Sequence, residues 1–226
     1  MCDRYALPDQ ATAEREFLPA RAWWNFTPRF NVAAQQYVPA IRWHDGQSEA
    51  VMMRWGLIPS WAEGRWIDLP PACVDIDEIQ SSATFRGAWL NSQRCILPIA
   101  GFYAWQLTDA KYRQPFFVSL LERPVFGLAG VWDRSVGEDD DVIEGCSVIR
   151  VPANDLMTNI ANTEHRMPAI KAGLGEQREA PELISLSSCT PPLSFAVQFV
   201  RVRSRTDLDG SSLDGWVLGH QLDCVV

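Results

Sequence analysis

Short apolar segments with the two-residue alternation or the β-branched content of strands dominate the sequence, and tight turns separate them. The predicted strands are 38–43, 50–57, 95–99, 102–107, 116–121, 125–132, 146–151 and 196–202. Glu122-Arg123-Pro124 forms one predicted turn, and an acidic stretch after Trp132 forms another. Connections this short join antiparallel neighbours, since parallel strands need a long crossover. The pattern therefore predicts antiparallel meanders.

Helical segments are few and short. The better candidates are 83–93 and 155–161, and the Asn154 side chain is placed to cap the second of them. No internal repeat and no Pro/Ser-rich linker divides the chain. We therefore predict an α+β fold in a single domain over 1–226, with a mixed, mainly antiparallel sheet or partial barrel and a few short flanking helices.

The chain has 226 residues, of which 47% are hydrophobic, enough for one large buried core. Its longest apolar segments are far shorter than the ~20 residues that a membrane-spanning helix needs. No apolar targeting segment follows Met1. We expect a cytoplasmic protein with no membrane partner.

The net charge of −8 argues at first against a nucleic-acid partner. The acids are concentrated, however, and five of them lie at Glu138, Asp139, Asp140, Asp141 and Glu144. Only Lys111 and Lys171 among the 20 basic residues are lysines, and arginine is the side chain that forks onto phosphate and stacks on bases. The composition thus permits nucleic-acid binding.

The six cysteines include no C-x-x-C pair, and the three histidines lack metal-ligand spacing. Cys95 and Cys146 lie in apolar, strand-like segments typical of buried thiols. We expect no metal and no cofactor.

Cys2 is the first candidate for chemistry. Removal of Met1 would leave a cysteine with a free α-amine, and an α-amine with a pKa of about 8 is partly neutral at pH 7. Such an amine forms a Schiff base with an aldehyde, and the adjacent thiol then closes a five-membered thiazolidine ring. The alternative is a cysteine without function at a frayed terminus.

The segment 54–61 places Trp55 and Trp61 around a Gly and a Pro, next to Arg54. With Trp66, Trp105 and Arg65, these side chains are typical of a platform on which bases stack beside phosphate-binding arginines. The alternative is that each Trp anchors the core.

His165 and Arg166 precede Met167-Pro168 in a predicted loop that enters a strand. A histidine in a loop is a suitable general acid or base near pH 7, and Arg166 beside it favours an anionic substrate. A solvent-facing or structural histidine is the alternative.

Taken in order, several blocks resemble the SOS response-associated peptidase (SRAP) family, whose members process abasic sites in single-stranded DNA. They are Met1-Cys2 followed by Arg4, 28–33, 53–61 (MRWGLIPSW), 84–86, 94–105 (RCILPIAGFYAW), 114–116, 126–132 (FGLAGVW), 152–157 and 165–168. The resemblance implies an SRAP-like fold and a thiazolidine DNA–protein crosslink formed by the N-terminal cysteine.

By this resemblance Cys2 would be the nucleophile and His165 the proton-transfer residue. The residues that would grip the single strand are Arg4, Arg29, Asn31, Arg54, Trp55, Trp61, Arg86, Trp105 and Arg166. The resemblance also implies single-stranded DNA with abasic sites as the partner, a monomer, and association with the nucleoid during action on DNA.

The sequence departs from the family where proton transfer is expected. Ala104 stands where most members have glutamate, and Cys73, Asp75 and Asp77 stand at the Asn, Arg and Glu of a further family block. Asp75, Asp77 and Glu78 could substitute as acid or base, but they would also repel phosphates.

These departures leave three functional interpretations open. The first is a working but slow abasic-site crosslinker, and the second is a degenerate module that binds single-stranded DNA or another ligand without chemistry. The third is a cysteine peptidase in which His165 activates Cys2.

Overall fold

A computed structural model describes residues 4–44, 46–63, 70–108, 112–120, 123–137 and 139–171, together with the backbone of 197–201. The elements are, in chain order, β1 (Arg4–Leu7), α1 (Gln10–Phe17), β2 (Arg21–Ala22), β3 (Arg29–Ala33), β4 (Tyr37–His44), β5 (Gln47–Trp55), a 3₁₀ turn (Ser60–Ala62), β6 (Cys73–Asp75), α2 (Ala83–Leu90), β7 (Arg94–Ile99), β8 (Gly101–Leu107), β9 (Arg113–Leu120), β10 (Phe126–Val136), β11 (Val142–Pro152), α3 (Asp155–Ile160), β12 (Arg166–Pro168), β13 (Ile170–Lys171) and β14 (Val197–Arg201).

The larger sheet closes on itself. Its strands β11, β10, β7, β4 and β5 pair in that order, and β5 pairs again with β11. A ring with an odd number of strands cannot be antiparallel throughout, and the closing β5–β11 pair is indeed parallel, while the other pairs of the ring are antiparallel. Closure removes the free strand edges of the ring.

The closing pair requires a very close approach of two backbones. The Gly56 amide donates to the Cys146 carbonyl oxygen over 2.8 Å, and a Cβ added at Gly145 would lie 2.6 Å from the Gly56 carbonyl oxygen. Gly56 itself has a φ of +147°, in the region that favours glycine. Glycines at both positions thus allow the barrel to close.

The smaller sheet has the order β14-β9-β8-β1-β3. The pairs around β1 are antiparallel, with Tyr5 opposite both Val32 and Phe102. Buried side chains of this sheet, such as Phe102, and of the barrel, such as Leu128, belong to one continuous apolar cluster. The two sheets therefore share a core.

The helices are short, and side chains cap the first turns of α1 and α3. The Asp9 side chain accepts from the Thr12 amide at the start of α1, and Asn154 accepts from the Met157 amide at the start of α3. Across the described ranges, we find no helix that is long and apolar enough to span a membrane.

The predicted α+β class with a mainly antiparallel sheet is confirmed. Each predicted strand and helix is observed with shifted ends; residues 121, 196 and 202 of the predicted strands lie outside the described residues. The helix α1 was not predicted, since its buried residues are only Ala13 and Phe17. The strands β1 and β3 were not predicted either, nor were β2, β6, β12 and β13, which have two or three residues each, too few for a periodic pattern.

Candidate functional site

The start of β1 carries one group of predicted site residues. Arg4 is exposed, and its Nη1 donates to Asn31 Oδ1 on β3 over 2.7 Å. Arg29 lies on the same strand as Asn31 and donates to Gln36 Oε1 and to the Tyr37 carbonyl oxygen. The structure thus brings Arg4 and Asn31 into contact, with Arg29 two residues before Asn31 on β3.

The neighbouring strand β8 divides its side chains between two faces. Phe102 and Ala104 are buried, whereas Tyr103 and Trp105 are half-buried on the opposite face. The Tyr103 hydroxyl donates to the Phe30 carbonyl oxygen over 2.6 Å, and partial burial raises the pKa of Tyr103. Arginines and aromatic side chains are therefore combined around β1.

The loop after α3 carries His165 and is held against the end of β8. Asn162 makes two hydrogen bonds to the backbone of Leu107, through Oδ1 over 2.9 Å and Nδ2 over 2.8 Å. His165 follows this loop with a φ of +51° and an exposed side chain. The predicted acid or base is thus accessible, on a backbone conformation that few residues adopt.

The second half of β11 is flanked by β6 on one side and β12 on the other. Arg150 on β11 donates from Nε to Asp75 Oδ1 over 2.7 Å and from Nη1 to Glu164 Oε2 over 3.1 Å. Asp75 lies on β6, 75 residues before Arg150, and Glu164 lies in the loop between α3 and β12. The strand order therefore creates an ion-pair network beside His165.

Arg166 belongs to the same network. Its Nη2 lies 2.8 Å from Asp77 Oδ2, and its Nε lies 3.8 Å from Asp75 Oδ2. Its Nη1 is buried without a hydrogen-bond partner. With Arg150 and Glu164, the network contains three carboxylates and two guanidiniums, so it carries an excess of negative charge. Glu78, the other predicted acid, is exposed and adjoins Asp77.

Trp61 and Arg86 form a third group. Trp61 in the 3₁₀ turn is 62% exposed, and its indole Nε1 donates to the Ala83 carbonyl oxygen at the start of α2. Arg86 is exposed on the same helix. Trp61 is therefore held in place by one edge while its ring remains available for stacking.

Trp55 and Arg54 lie inside the molecule and do not agree with the prediction that they contact DNA. Trp55 is 0% exposed, and its Nε1 donates to the Ala72 carbonyl oxygen. Arg54 is 5% exposed, and burial lowers its pKa. Since the Trp55 side chain is completely buried within the main apolar cluster, the interpretation that fits this residue is a core anchor.

Two of the four positions where family residues are replaced are apolar. Ala104 is completely buried within the main apolar cluster, and Cys73 packs against its edge. Burial raises the pKa of the Cys95 thiol, which is therefore a poor nucleophile. Cys2, Arg65 and Trp66 lie outside the described residues. In the described part of the chain, no three His, Cys, Asp or Glu side chains are placed to hold a metal ion.

Sequence reasoning overlooked Arg150, Glu164 and Tyr103. Arg150 carried a weak signal, a charged residue within an otherwise apolar strand. Glu164 and Tyr103 carried none, because their partners become neighbours only when β12 pairs with β11 and when β3 and β8 flank β1.

The closed barrel joined to a second sheet places the chain among small α+β proteins. One of its faces carries arginines and aromatic side chains around β1. The chain belongs to the family described as SOS response associated peptidase (SRAP), whose model matches residues 1–180. This confirms the resemblance drawn from the sequence blocks.

Curated relatives are similar over about two thirds of the chain. Abasic site processing protein YoqW of Bacillus subtilis (strain 168) is 31% identical over 156 residues, which cover 69% of this chain and 66% of YoqW. Abasic site processing protein YoaM of the same organism is 32% identical over 148 residues, or 65% of this chain and 63% of YoaM. Abasic site processing protein HMCES of Gallus gallus is 25% identical over 178 residues, 66% of this chain and 52% of HMCES. The match thus spans slightly under two thirds of these Bacillus proteins and about half of HMCES.

Two solved structures share the fold. A crystal structure of a Bordetella bronchiseptica protein superposes with a TM-score of 0.68 at 21% identity, covering 89% of this chain and 100% of that one. A protein from Bacteroides thetaiotaomicron gives a TM-score of 0.67 at 24% identity, covering 85% and 83%. At these identities the likeness establishes the fold.

Proposed function

We propose that this protein processes abasic sites in single-stranded DNA by covalent capture at Cys2. Family membership over residues 1–180 and the relatives named as abasic site processing proteins support the general activity. The observation that carries the proposal is the placement of Arg4 and Asn31 in contact, two and 29 residues after Cys2, on the face that also holds Tyr103 and Trp105.

The capture would proceed through an imine intermediate. The neutral α-amine of Cys2 adds to the aldehyde carbon of the ring-opened sugar, and loss of water leaves an imine. The Cys2 sulfur then adds to the imine carbon, while the imine nitrogen takes up the proton released by the thiol. The product is a thiazolidine that links protein and DNA.

The arginines and aromatics around β1 suit the binding of the strand. Arg4 is exposed and only two residues from Cys2, so a phosphate bound there lies close to the nucleophile. Half-buried Tyr103 and Trp105 offer ring surface for bases beside it. A site of this kind binds by phosphate contacts and stacking, without reading sequence.

The site has few groups that could transfer protons. Ala104 offers no base, and the Asp75 carboxylate is engaged by Arg150 and lies near Arg166. His165 and the exposed acids Asp77 and Glu78 remain as candidates. Since loss of a general base costs ~10²–10⁴-fold in rate, we expect capture to be slow.

The test is a denaturing gel of protein incubated with a single-stranded oligonucleotide that carries one abasic site. Intact mass first establishes that the chain starts at Cys2, after methionine aminopeptidase treatment where needed. We expect a shifted band for the wild type and for Cys73→Ala, a control at a partly buried thiol, and no band for Cys2→Ala. A band from Cys2→Ala would contradict the proposed nucleophile.

A second candidate function is noncovalent single-strand binding without capture. The buried methyl of Ala104 in the apolar cluster favours it, because this position then supplies no polar group to the reaction. Salt-dependent binding without a shifted band, from protein that starts at Cys2, would support this alternative and contradict capture.

A further inference from the structure

We propose that Asp77 is a built-in competitor for the phosphate group that Arg166 would bind, and that it thereby weakens the affinity of the site for single-stranded DNA. This inference rests on the proposed function and concerns the regulation of the same site. Its starting point is the 2.8 Å contact between Arg166 Nη2 and Asp77 Oδ2.

An anion can bind the Arg166 guanidinium on one side. Asp75 lies 3.8 Å from Nε, and Nη1 is buried without a hydrogen-bond partner. The remaining side is that of Nη2, where Asp77 sits. A phosphate oxygen uses the same donors at the same distances as a carboxylate oxygen, so the two occupy Nη2 in turn.

Asp77 is suited to be displaced, whereas Asp75 is not. The Asp77 side chain is 62% exposed, and an exposed pair of this kind is weak and screened by salt. The Asp75 side chain is only 16% exposed and also binds Arg150. Asp75 therefore positions the arginines, and Asp77 is the exchangeable partner.

The network around Arg166 makes the competition effective. Even after Asp77 leaves, Asp75 and Glu164 remain close, so the two guanidiniums are balanced by two carboxylates. With Asp77 in place, a phosphate meets an excess of negative charge. Neutralising Asp77 therefore removes both the competing acceptor and that repulsion.

The test measures the fluorescence anisotropy of a labelled, intact single-stranded oligonucleotide over a range of salt concentrations. We expect Asp77→Asn and Asp77→Ala to bind about two- to fivefold more tightly at low salt, the range of an exposed charge pair. The plot of log K against log[salt] should steepen by about 0.7, the value for one added phosphate contact on a single strand.

Two further variants separate this contact from the general effect of charge. Asp141→Asn also removes one negative charge, but just before the start of β11, roughly 26 Å along the strand from Arg150. It should raise the affinity less than Asp77→Asn does. In the Arg166→Ala background, Asp77→Asn should have no effect on affinity beyond that of Asp141→Asn.

The inference is overturned if Asp77→Asn and Asp77→Ala bind no more tightly than Asp141→Asn, or if their gain persists without Arg166. Wild-type binding and capture with no gain at Asp77 would overturn this inference alone. Failure of every variant to bind and to capture would overturn the proposed function as well.

Discussion

The rings of Tyr5 and Trp55 lie 4.7 Å apart between centroids, tilted by 56°, in the core beneath the first strand. Both side chains are at most 1% exposed. Trp55 satisfies its indole N–H at the Ala72 carbonyl oxygen, whereas the Tyr5 hydroxyl is buried without a hydrogen-bond partner. One aromatic pair thus combines a satisfied and an unsatisfied polar group.

Tyr5→Phe should stabilise the protein by about 1 kcal/mol at pH 7, because it removes a buried hydroxyl with no partner and keeps the ring. Burial raises the pKa of Tyr5, so the unfolded state releases its proton first and stability falls as the pH rises above about 10. The variant should lessen that alkaline loss. Urea unfolding at pH 7 and pH 10.5 measures both effects.

Tyr103→Phe is the matched control, since the Tyr103 hydroxyl donates to the Phe30 carbonyl oxygen. We expect this variant to lose roughly 0.5–1.5 kcal/mol. Equal losses from both substitutions would contradict the assignment of Tyr5 as the unsatisfied residue.

Trp61→Ala should weaken single-strand binding by about 1–3 kcal/mol, the value of one stacked base, with little change in the thermal unfolding temperature. Trp55→Ala should instead destabilise the fold by about 3–5 kcal/mol, because it leaves a cavity in the core. Anisotropy titration and thermal unfolding of both variants separate the roles. A large stability loss for Trp61→Ala would show that the exposed ring is structural.

His165→Asn tests the proton-transfer role without disturbing the backbone, because asparagine tolerates the φ of +51° that His165 adopts. If His165 transfers protons, capture of an abasic site should slow by ~10²-fold or more, while binding of intact single-stranded DNA stays the same. Time courses on denaturing gels give the rate. An unchanged rate would remove His165 from the mechanism.

Gly145→Ala should destabilise the protein by about 1–3 kcal/mol, since its Cβ would lie 2.6 Å from the Gly56 carbonyl oxygen where the barrel closes. Gly87→Ala is the control, because Gly87 lies inside α2 with no atom within 4 Å of an added Cβ. We expect that variant to gain roughly 0.4–1 kcal/mol. Urea unfolding measures both, and a neutral Gly145→Ala would argue against the tight closure.

The sequence by itself predicted eight of the fourteen strands that the structure describes, their mainly antiparallel arrangement and the Asn154 cap. Alternation of apolar residues and capping are local properties that three to eight neighbouring residues carry. The family blocks are also local, so the resemblance to SRAP proteins and its candidate residues could be read from them. The single domain over 1–226 stays a prediction.

Only the tertiary structure decided which of those candidates face solvent. Trp55 and Trp61 belong to one block of the sequence, yet the first is completely buried and the second is 62% exposed. Asp75 meets Arg150, 75 residues away, because β6 pairs with β11. Burial and ion pairing depend on the closure of the barrel and on strand order, which residues distant in sequence determine together.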